Sequence, residues 1–532
     1  MLLSTGLISA QSKFKYFDLC LIIVPDINLT IPLNNKLPIG NTEIFGNFIT
    51  LNQSSTLQVD FDQVNPSISF IILQAHTHIY NVTVYNGSCT HTSCVNGTNI
   101  GLYGKVKPNP EVFFVHNPNE RSILVYISVH VYNRQAPIPG GCNMEFPIPI
   151  TPYIHITYNR DYIFVDAAPA MDPMDKKCNS VGNVSIDFYR MYLPARDFTE
   201  DMYFNAIRGM MTLNKIAENG ELIPLTSSSW HVRRMLSAYP GTGAVYVVVA
   251  RYNTGKPGYS VYTPALTYAC SPLDGNESDD FVAQMLCAFM VFIGLFVCYF
   301  GHRFFKTEMF LTGFFCGIIM TYTIVYILIH YVTAYFTLFL ALVIASTISG
   351  LFFGAIWLTF WWFYGIPLYS VMLTNLTFGF LAAAIFYYVL PGDIYILQPD
   401  TSFWVLFISI MLIVAFSLAC VTYLSNILCC AVLGAYITIY PIDFYLGSHF
   451  KYIIINTIRR ATVPKFNKAV ISPPFGHTDI LLIIIWIVLA KTGFLYQHYT
   501  NRGRPPFPPP PRSSIAPTIP ETTYGSARTV SR

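Results

Sequence analysis

Charge is what this chain has least of. Lys, Arg, Asp and Glu make up 11% of its 532 residues while hydrophobic residues make up 53%, whereas soluble domains carry about a quarter charged residues. The net charge of +3 and the lack of any Lys/Arg block give no support to a nucleic-acid partner. Catalytic signatures are missing as well: there is no Gly-x-Ser-x-Gly elbow, no His-Glu-x-x-His and no P-loop. The chain is therefore read as non-enzymatic, with no catalytic residue, metal or cofactor expected.

The shortage of charge is uneven. Residues 1–280 are polar and aromatic with regular turn signals, and residues 281–497 are long apolar runs. The cysteines divide at the same place. Cys20, Cys89, Cys94, Cys142, Cys178 and Cys270 precede the first run, and Cys287, Cys298, Cys316, Cys420, Cys429 and Cys430 lie within or near the runs. The first group, Cys89, Cys94, Cys142, Cys178 and Cys270 above all, supplies disulfide candidates whose connectivity the sequence leaves open. The second group would act as small apolar residues in lipid. Asn-x-Ser/Thr sequons are at Asn28, Asn52, Asn81, Asn86, Asn96, Asn183 and Asn276, and later only at Asn375 inside an apolar run. This distribution points to a glycosylated lumenal or extracellular first half. Residues 1–12 are read as a degenerate or truncated signal segment, since they lack a basic n-region.

Between residues 44 and 270 the hydrophobic period is two. Ser67–Leu73, Tyr80–Tyr85, Ile123–Tyr132 and Gly243–Ala250 are rich in β-branched and aromatic residues, with Asn, Gly and Pro clusters between them. The expectation is two antiparallel β-sandwich modules, 13–147 and 148–276, divided near the Pro147-Ile-Pro-Ile-Thr-Pro stretch. Residues 197–218 have helical spacing, with Asp197 or Thr199 as N-cap. His76 and His78, with His91 nearby, could ligate a metal, but a polar strand face is the preferred reading.

The apolar runs 281–300, 309–331, 335–357, 366–390, 403–423, 425–446 and 479–497 are each long enough to cross about 30 Å of hydrocarbon. The expected architecture is thus a β-rich ectodomain, an all-α seven-helix transmembrane bundle over 281–497, and a disordered Pro-rich tail over 498–532. His302, Arg303 and Lys306 in the first short loop, and Arg502, Arg504 and Arg512 in the tail, place those segments and the C-terminus in the cytosol. Asp393 and Asp400 suit the opposite face. The segment 447–478, with Lys451, Arg459, Arg460, Lys465 and Lys468, conflicts with that topology. Its amphipathic stretch Tyr452–Arg460 is expected to lie on the membrane surface.

Small residues line one helix face at Gly313 and Gly317 and another at Ser346, Gly350 and Gly354. Helix packing is the first reading of these stripes and homo-oligomerisation the second. Asp443 and Lys491 stand within apolar runs, which makes a transporter or channel the first alternative function. An orphan receptor is the second alternative, although the third run ends in Phe360-Trp-Trp-Phe-Tyr rather than Asp/Glu-Arg-Tyr and the last run lacks Asn-Pro-x-x-Tyr. In the tail, Arg502, Pro505 and Pro508 fit an SH3 ligand, and Phe507 through Pro511 fits an EVH1 ligand. A stiff spacer is the alternative. The remaining partners expected are the lipid bilayer and an extracellular protein or ligand.

Several blocks carry a family resemblance. They are Pro137-Ile-Pro-Gly-Gly-Cys142-Asn-Met-Glu-Phe, Thr267-Tyr-Ala-Cys, Gly301-His-Arg-Phe-Phe-Lys-Thr-Glu-Met-Phe-Leu-Thr-Gly, Ser425-Asn-Ile-Leu, Ile442-Asp-Phe-Tyr and Arg502-Gly-Arg-Pro-Pro-Phe-Pro-Pro. With them the chain resembles the transmembrane 7 superfamily member 3 family, whose membrane half is shared with the transmembrane protein 198 family. The resemblance implies a signal peptide, a glycosylated ectodomain, seven spans in a plasma or secretory-pathway membrane, and a non-enzymatic role linked to cell survival, stress responses and regulated secretion. It brings no biochemical mechanism.

Overall fold

A computed structural model describes residues 26–34, 42–87, 89, 94–106, 109–143, 151–174, 178, 184–225, 232–253, 255, 257–270, 277–329, 336–390 and 394–508. The chain divides into two units, Met1–Arg134 and Gln135–Arg532.

In the first unit the alternating runs become strands β1 (Ile27–Pro32), β2 (Glu43–Leu51), β3 (Thr56–Asp62), β4 (Ile68–His76), β5 (Val82–Asn86), β6 (Cys94–Gly97), β7 (Asn99–Lys105), β8 (Phe113–His116) and β9 (Ile123–Asn133). They form two sheets, ordered β1-β3-β8-β5-β6 and β2-β9-β4-β7. All described pairs are antiparallel except β1 with β3. Gly104 of β7 packs against the Phe113 ring of β8, so the sheets meet face to face. On β9, Val125, Ile127, Val129 and Val131 are buried on one face and Tyr126, Ser128, His130 and Tyr132 on the other. Cys89 is bonded to Cys94.

The second unit begins with β10 (His155–Tyr158), β11 (Tyr162–Asp166), β12 (Val184–Ala195), β13 (Glu221–Leu222), β14 (Arg233–Ser237), β15 (Thr242–Tyr252), β16 (Tyr259–Val261) and β17 (Ala265–Thr267). One sheet is β10-β11-β14; the other is β13-β12-β15-β16, with β17 also beside β15. Ile163, Val165 and Leu236 from the first sheet share a core with Phe188, Tyr246, Val248 and Ala250 from the second. The boundary expected near Pro147 lies earlier, between Arg134 and Gln135. Ile138 is bridged to Met171 and Cys142 is bonded to Cys178, which ties the 138–142 stretch to the second unit. The single helix expected over 197–218 is two helices, α1 (Glu200–Arg208) and α2 (Leu213–Asn219), broken around Gly209. Thr199 is the N-cap of α1 without a side-chain cap bond; its amide and hydroxyl both donate to Asp197 Oδ1, at 3.1 and 2.6 Å.

The helical part comprises α3 (Glu277–Phe300), α4 (Phe305–Ile329), α5 (Phe336–Tyr364), α6 (Pro367–Val389), α7 (Asp400–Ala419), α8 (Thr422–Leu446), α9 (Tyr452–Thr462) and α10 (His477–Thr500). Among the described residues six helices, α4 to α8 and α10, are long and apolar enough to span a membrane, and α3 contributes the shorter apolar stretch Gln284–Phe300. Helices α4 and α5 approach most closely through their glycines. A Cβ on Gly313 would meet the Cα of Gly354 at 3.0 Å, and one on Gly317 would meet the Cα of Gly350 at 3.0 Å. The small-residue stripes therefore face each other within one chain. The buried Ser346 lies on the same side of α5.

Candidate functional site: the junction between the second β-domain and the helices

The basic segment 447–478 forms this site. Helix α8 ends at Gly447, whose φ of 72° suits glycine, and α9 follows. The buried face of α9 presents Tyr452, Ile453, Asn456, Thr457, Arg459 and Thr462. That face is covered by the second β-domain and by neighbouring helices, so the apolar side of the amphipathic stretch packs against protein.

Arg459 is the centre of the contact. Its Nε donates to Asp161 Oδ1 at 3.1 Å, Nη1 to Ser237 Oγ at 3.2 Å and to the Ala238 carbonyl at 2.8 Å, and Nη2 to the Arg160 carbonyl at 2.5 Å. Asp161 also accepts from the Tyr326 hydroxyl at 3.2 Å. Ser237 donates to Asn456 Oδ1 at 2.9 Å. A planar guanidinium with several acceptors suits such a place, because a buried cation is tolerated only when paired and hydrogen-bonded.

The backbone joins the two parts as well. The Ser237 amide donates to the Val470 carbonyl at 3.1 Å and the Val470 amide to the Met235 carbonyl at 2.9 Å, so Val470 extends the edge of β14. Val470 is also part of the core of the second β-domain. Tyr192 donates to the Ser472 carbonyl at 2.9 Å. Arg196 donates to the Tyr445 and Phe444 carbonyls at 2.9 and 2.6 Å, meeting the negative end of α8.

A second cluster lies beside the first. Asp443 accepts from the amides of Phe450 and Lys451 at 3.2 and 3.1 Å and stands 3.7 Å from Lys451 Nζ. Asp479 accepts from the Ser448 hydroxyl, and from the amides of His449 and Gly476 at 2.9 Å each. His449 Nε2 lies 2.8 Å from the Thr242 hydroxyl of the β-domain. The Tyr239 ring packs edge-on against both His449 and Tyr452. Arg460 donates to Asp400 Oδ1 at 3.0 Å. Burial lowers the pKa of Lys451, offset in part by Asp443, and burial likewise lowers that of Arg460 against the pull of Asp400. Lys451, Arg459 and Arg460, three of the segment's five Lys and Arg residues, thus meet Asp443, Asp161 and Asp400 one to one.

Asp443 and Lys491 are not brought together: Asp443 is buried against Lys451, and Lys491 is exposed on α10. His76 is buried, with Nδ1 3.0 Å from Asn99 Oδ1 and Nε2 3.1 Å from Gln74 Oε1. It therefore sits in a buried polar network instead of on an open polar face. No metal-holding group of His, Cys, Asp or Glu occurs among the described residues, and His91 lies outside them. Asn28, Asn52, Asn81 and Asn96 are exposed, and Asn86 is half-buried with its amide donating to Glu111 Oε2 at 2.8 Å. Asn183 and Asn276 lie outside the described residues. Cys270 is a free thiol whose pKa burial raises, and Cys20 is outside the described residues.

The tail departs from expectation at its start. Helix α10 runs to Thr500, and Phe507 then packs its ring on His302 and Phe305, with centroids at 5.7 and 5.2 Å. Residues 501–508 are thus folded back onto the helices, while Pro511 lies outside the described residues. Sequence reasoning did not pick out Arg459 with Asp161, Asp479 with His449, or Glu308. Glu308 directly precedes an apolar run, and that adjacency was its available signal.

Three domain families match in chain order. Residues 40–132 match the TM7SF3-like N-terminal immunoglobulin-like domain, 137–273 the TM7SF3-like second immunoglobulin-like domain, and 287–498 the TM7S3/TM198-like domain. The chain is similar to transmembrane 7 superfamily member 3 of Homo sapiens, 28% identical over 506 residues, covering 89% of this chain and 87% of that protein. It is similar to transmembrane 7 superfamily member 3 of Mus musculus, 28% identical over 483 residues, with 87% and 84% covered.

Proposed function

We propose that this chain, which belongs to the transmembrane 7 superfamily member 3 family in both immunoglobulin-like domains and in its membrane domain, is a non-enzymatic membrane protein that passes ectodomain binding to its helices. The reading takes α3 as a seventh span, the β-domains as lumenal or extracellular and glycosylated, and the tail as cytosolic. Its cellular setting is cell survival, stress response or regulated secretion, at the plasma membrane or along the secretory pathway. The observation that carries the reading is the Arg459 junction. Its bonds to Asp161, Ser237, Ala238 and Arg160 link the second β-domain to α9, and Tyr326 on α4 also bonds to Asp161. A partner that shifts β11 or β14 would load helices directly through these bonds. The transporter alternative built on Asp443 and Lys491 loses its motivating pair, because Lys451 is the cation beside Asp443.

The test has two arms. Glycosidase treatment of the full-length protein from cells should lower its apparent mass stepwise as sequons are replaced by Gln; an unglycosylated chain sinks the topology. Hydrogen exchange at α4 and α9 should respond to a crosslinking antibody against the second β-domain, and that response should vanish in Arg459→Ala. An antibody response that persists in Arg459→Ala would refute coupling through this junction.

A further inference from the structure

The polar centre inside the helices lies away from the Arg459 junction and stands independently of the reading above. Glu308 is on α4, within the candidate span His302–Leu328, and is 2% exposed. Thr312, one turn on, donates to its Oε1 at 3.1 Å, and Thr374 of α6 donates to the same oxygen at 2.8 Å. Oε2 has no partner. These two hydroxyls are its hydrogen-bond donors among the described residues. On α8 the thiols of Cys429 and Cys430 are buried within electrostatic range of it, and Cys429 donates to Asn375 Oδ1 at 3.5 Å.

We infer that Glu308 is a proton-binding site within the bundle, occupied as the neutral acid and exchanging through the end that Phe507 covers. An ionised carboxylate taken out of water without a cation is strongly disfavoured, and a single proton removes that penalty. A metal cation fits poorly, since hard cations draw on about six or more oxygens. Here both hydroxyls are committed to Oε1, which leaves Oε2 alone.

The route is marked by further polar atoms without partners. Asn426 Oδ1 on α8 has none, while its Nδ2 lies 3.0 Å from His302 Nδ1. Asn426 is one turn before Cys430 on the same helix face. Trp361 Nε1 on α5, beside Phe305, also lacks a partner. Phe507 rests on the His302 and Phe305 rings, at the outer end of this series. The titratable groups along it are His302, Glu308, Cys429 and Cys430; Thr374, Asn375, Asn426 and Trp361 do not titrate.

An apolar carbodiimide tests the proposal on the full-length protein in native membranes. The protonated carboxyl adds across one C=N bond of the reagent. Its oxygen bonds to the central carbon and its proton moves to nitrogen, after which acyl migration leaves a stable N-acylurea with no leaving group and no redox change. Mass spectrometry should find the adduct on Glu308 at neutral pH, absent in Glu308→Gln. Phe507→Ala should speed labelling several-fold. Glu308 left unlabelled in the folded protein, while a detergent-denatured acidified sample labels, would overturn the neutral acid. An unchanged labelling rate in Phe507→Ala would overturn the route. If Glu308→Gln fails to fold, the carboxylic-acid carbonyl stretch of the wild-type protein, sought by infrared difference spectroscopy after ¹³C-Glu labelling, decides the protonation state; its absence would overturn the proposal.

Discussion

Arg459 on α9 donates to Asp161 at 3.1 Å across 298 positions of sequence. Their side chains are 8% and 25% exposed, so solvent screens the pair only in part. Arg459→Met removes the donor and leaves Asp161 without its cation, at a cost of about 3 kcal/mol. Asp161→Asn in the same chain should recover part of that loss. Thermal unfolding of the purified protein, with proteolysis of the second β-domain as a second readout, measures both. Wild-type melting in Arg459→Met would show that the junction contributes little.

Acid should weaken the first β-domain through His76. Burial depresses its pKa from 6.5 to about 4, against a raising effect of Asn99. The unfolded chain takes up a proton near pH 6.5, whereas the folded one does not until about 4. Stability from this group is complete above pH 6.5, falls as pH drops through that window and levels off below it, a swing of up to about 3 kcal/mol. His76→Gln should flatten the dependence. Hydrogen exchange of β4 and β9 at pH 7 and pH 5 reports it, and an equal pH effect in the variant would assign the loss elsewhere.

Helices α4 and α5 should tolerate no bulk between them. Gly317→Leu places atoms where Phe353 and the Gly350 backbone already lie, and such overpacking costs about 1–3 kcal/mol. Ser346→Ala, which removes a buried hydroxyl without a partner, should be neutral or slightly stabilising. Thermal inactivation of the solubilised protein compares the two. A dimerisation stripe would instead show Gly317→Leu as a change of oligomeric state at unchanged monomer stability.

Phe507 serves two readings that compete for one ring. If the tail engages an EVH1 or SH3 domain, Phe507 must first leave His302 and Phe305. The full-length protein should therefore bind such a domain more weakly than a free peptide spanning residues 500–514. Phe507→Ala should raise trypsin cleavage after Arg502, which Gly503 follows, several-fold. Equal affinity of peptide and full-length protein would show that the latch is not closed in solution.

The β-strands and most helix limits were legible because period-two and continuous apolar patterns are local. β9 was expected over Ile123–Tyr132 and runs Ile123–Asn133. What lay out of reach depends on distant partners. Nothing within 447–478 announces that its arginines meet Asp161 and Asp400, so their charges read as free when they are paired. Asp443 was legible as a buried acid, but its cation was sought at Lys491 on another helix, while Lys451 stood just past the helix end. The tail was read from composition, which describes Pro-rich chains in isolation and cannot foresee one aromatic ring finding a seat.

The Val470 bridge sets an order of events during synthesis. Leu236 and Val470 are neighbours in the finished protein, but α3 to α9 are made between them. The second immunoglobulin-like domain must wait with an unfinished edge and an incomplete core while those helices are made. A ribosome that stalls, or a helix inserted the wrong way round, would leave that edge open to chaperones. The second immunoglobulin-like domain thereby becomes a readout of whether the helical part has been assembled.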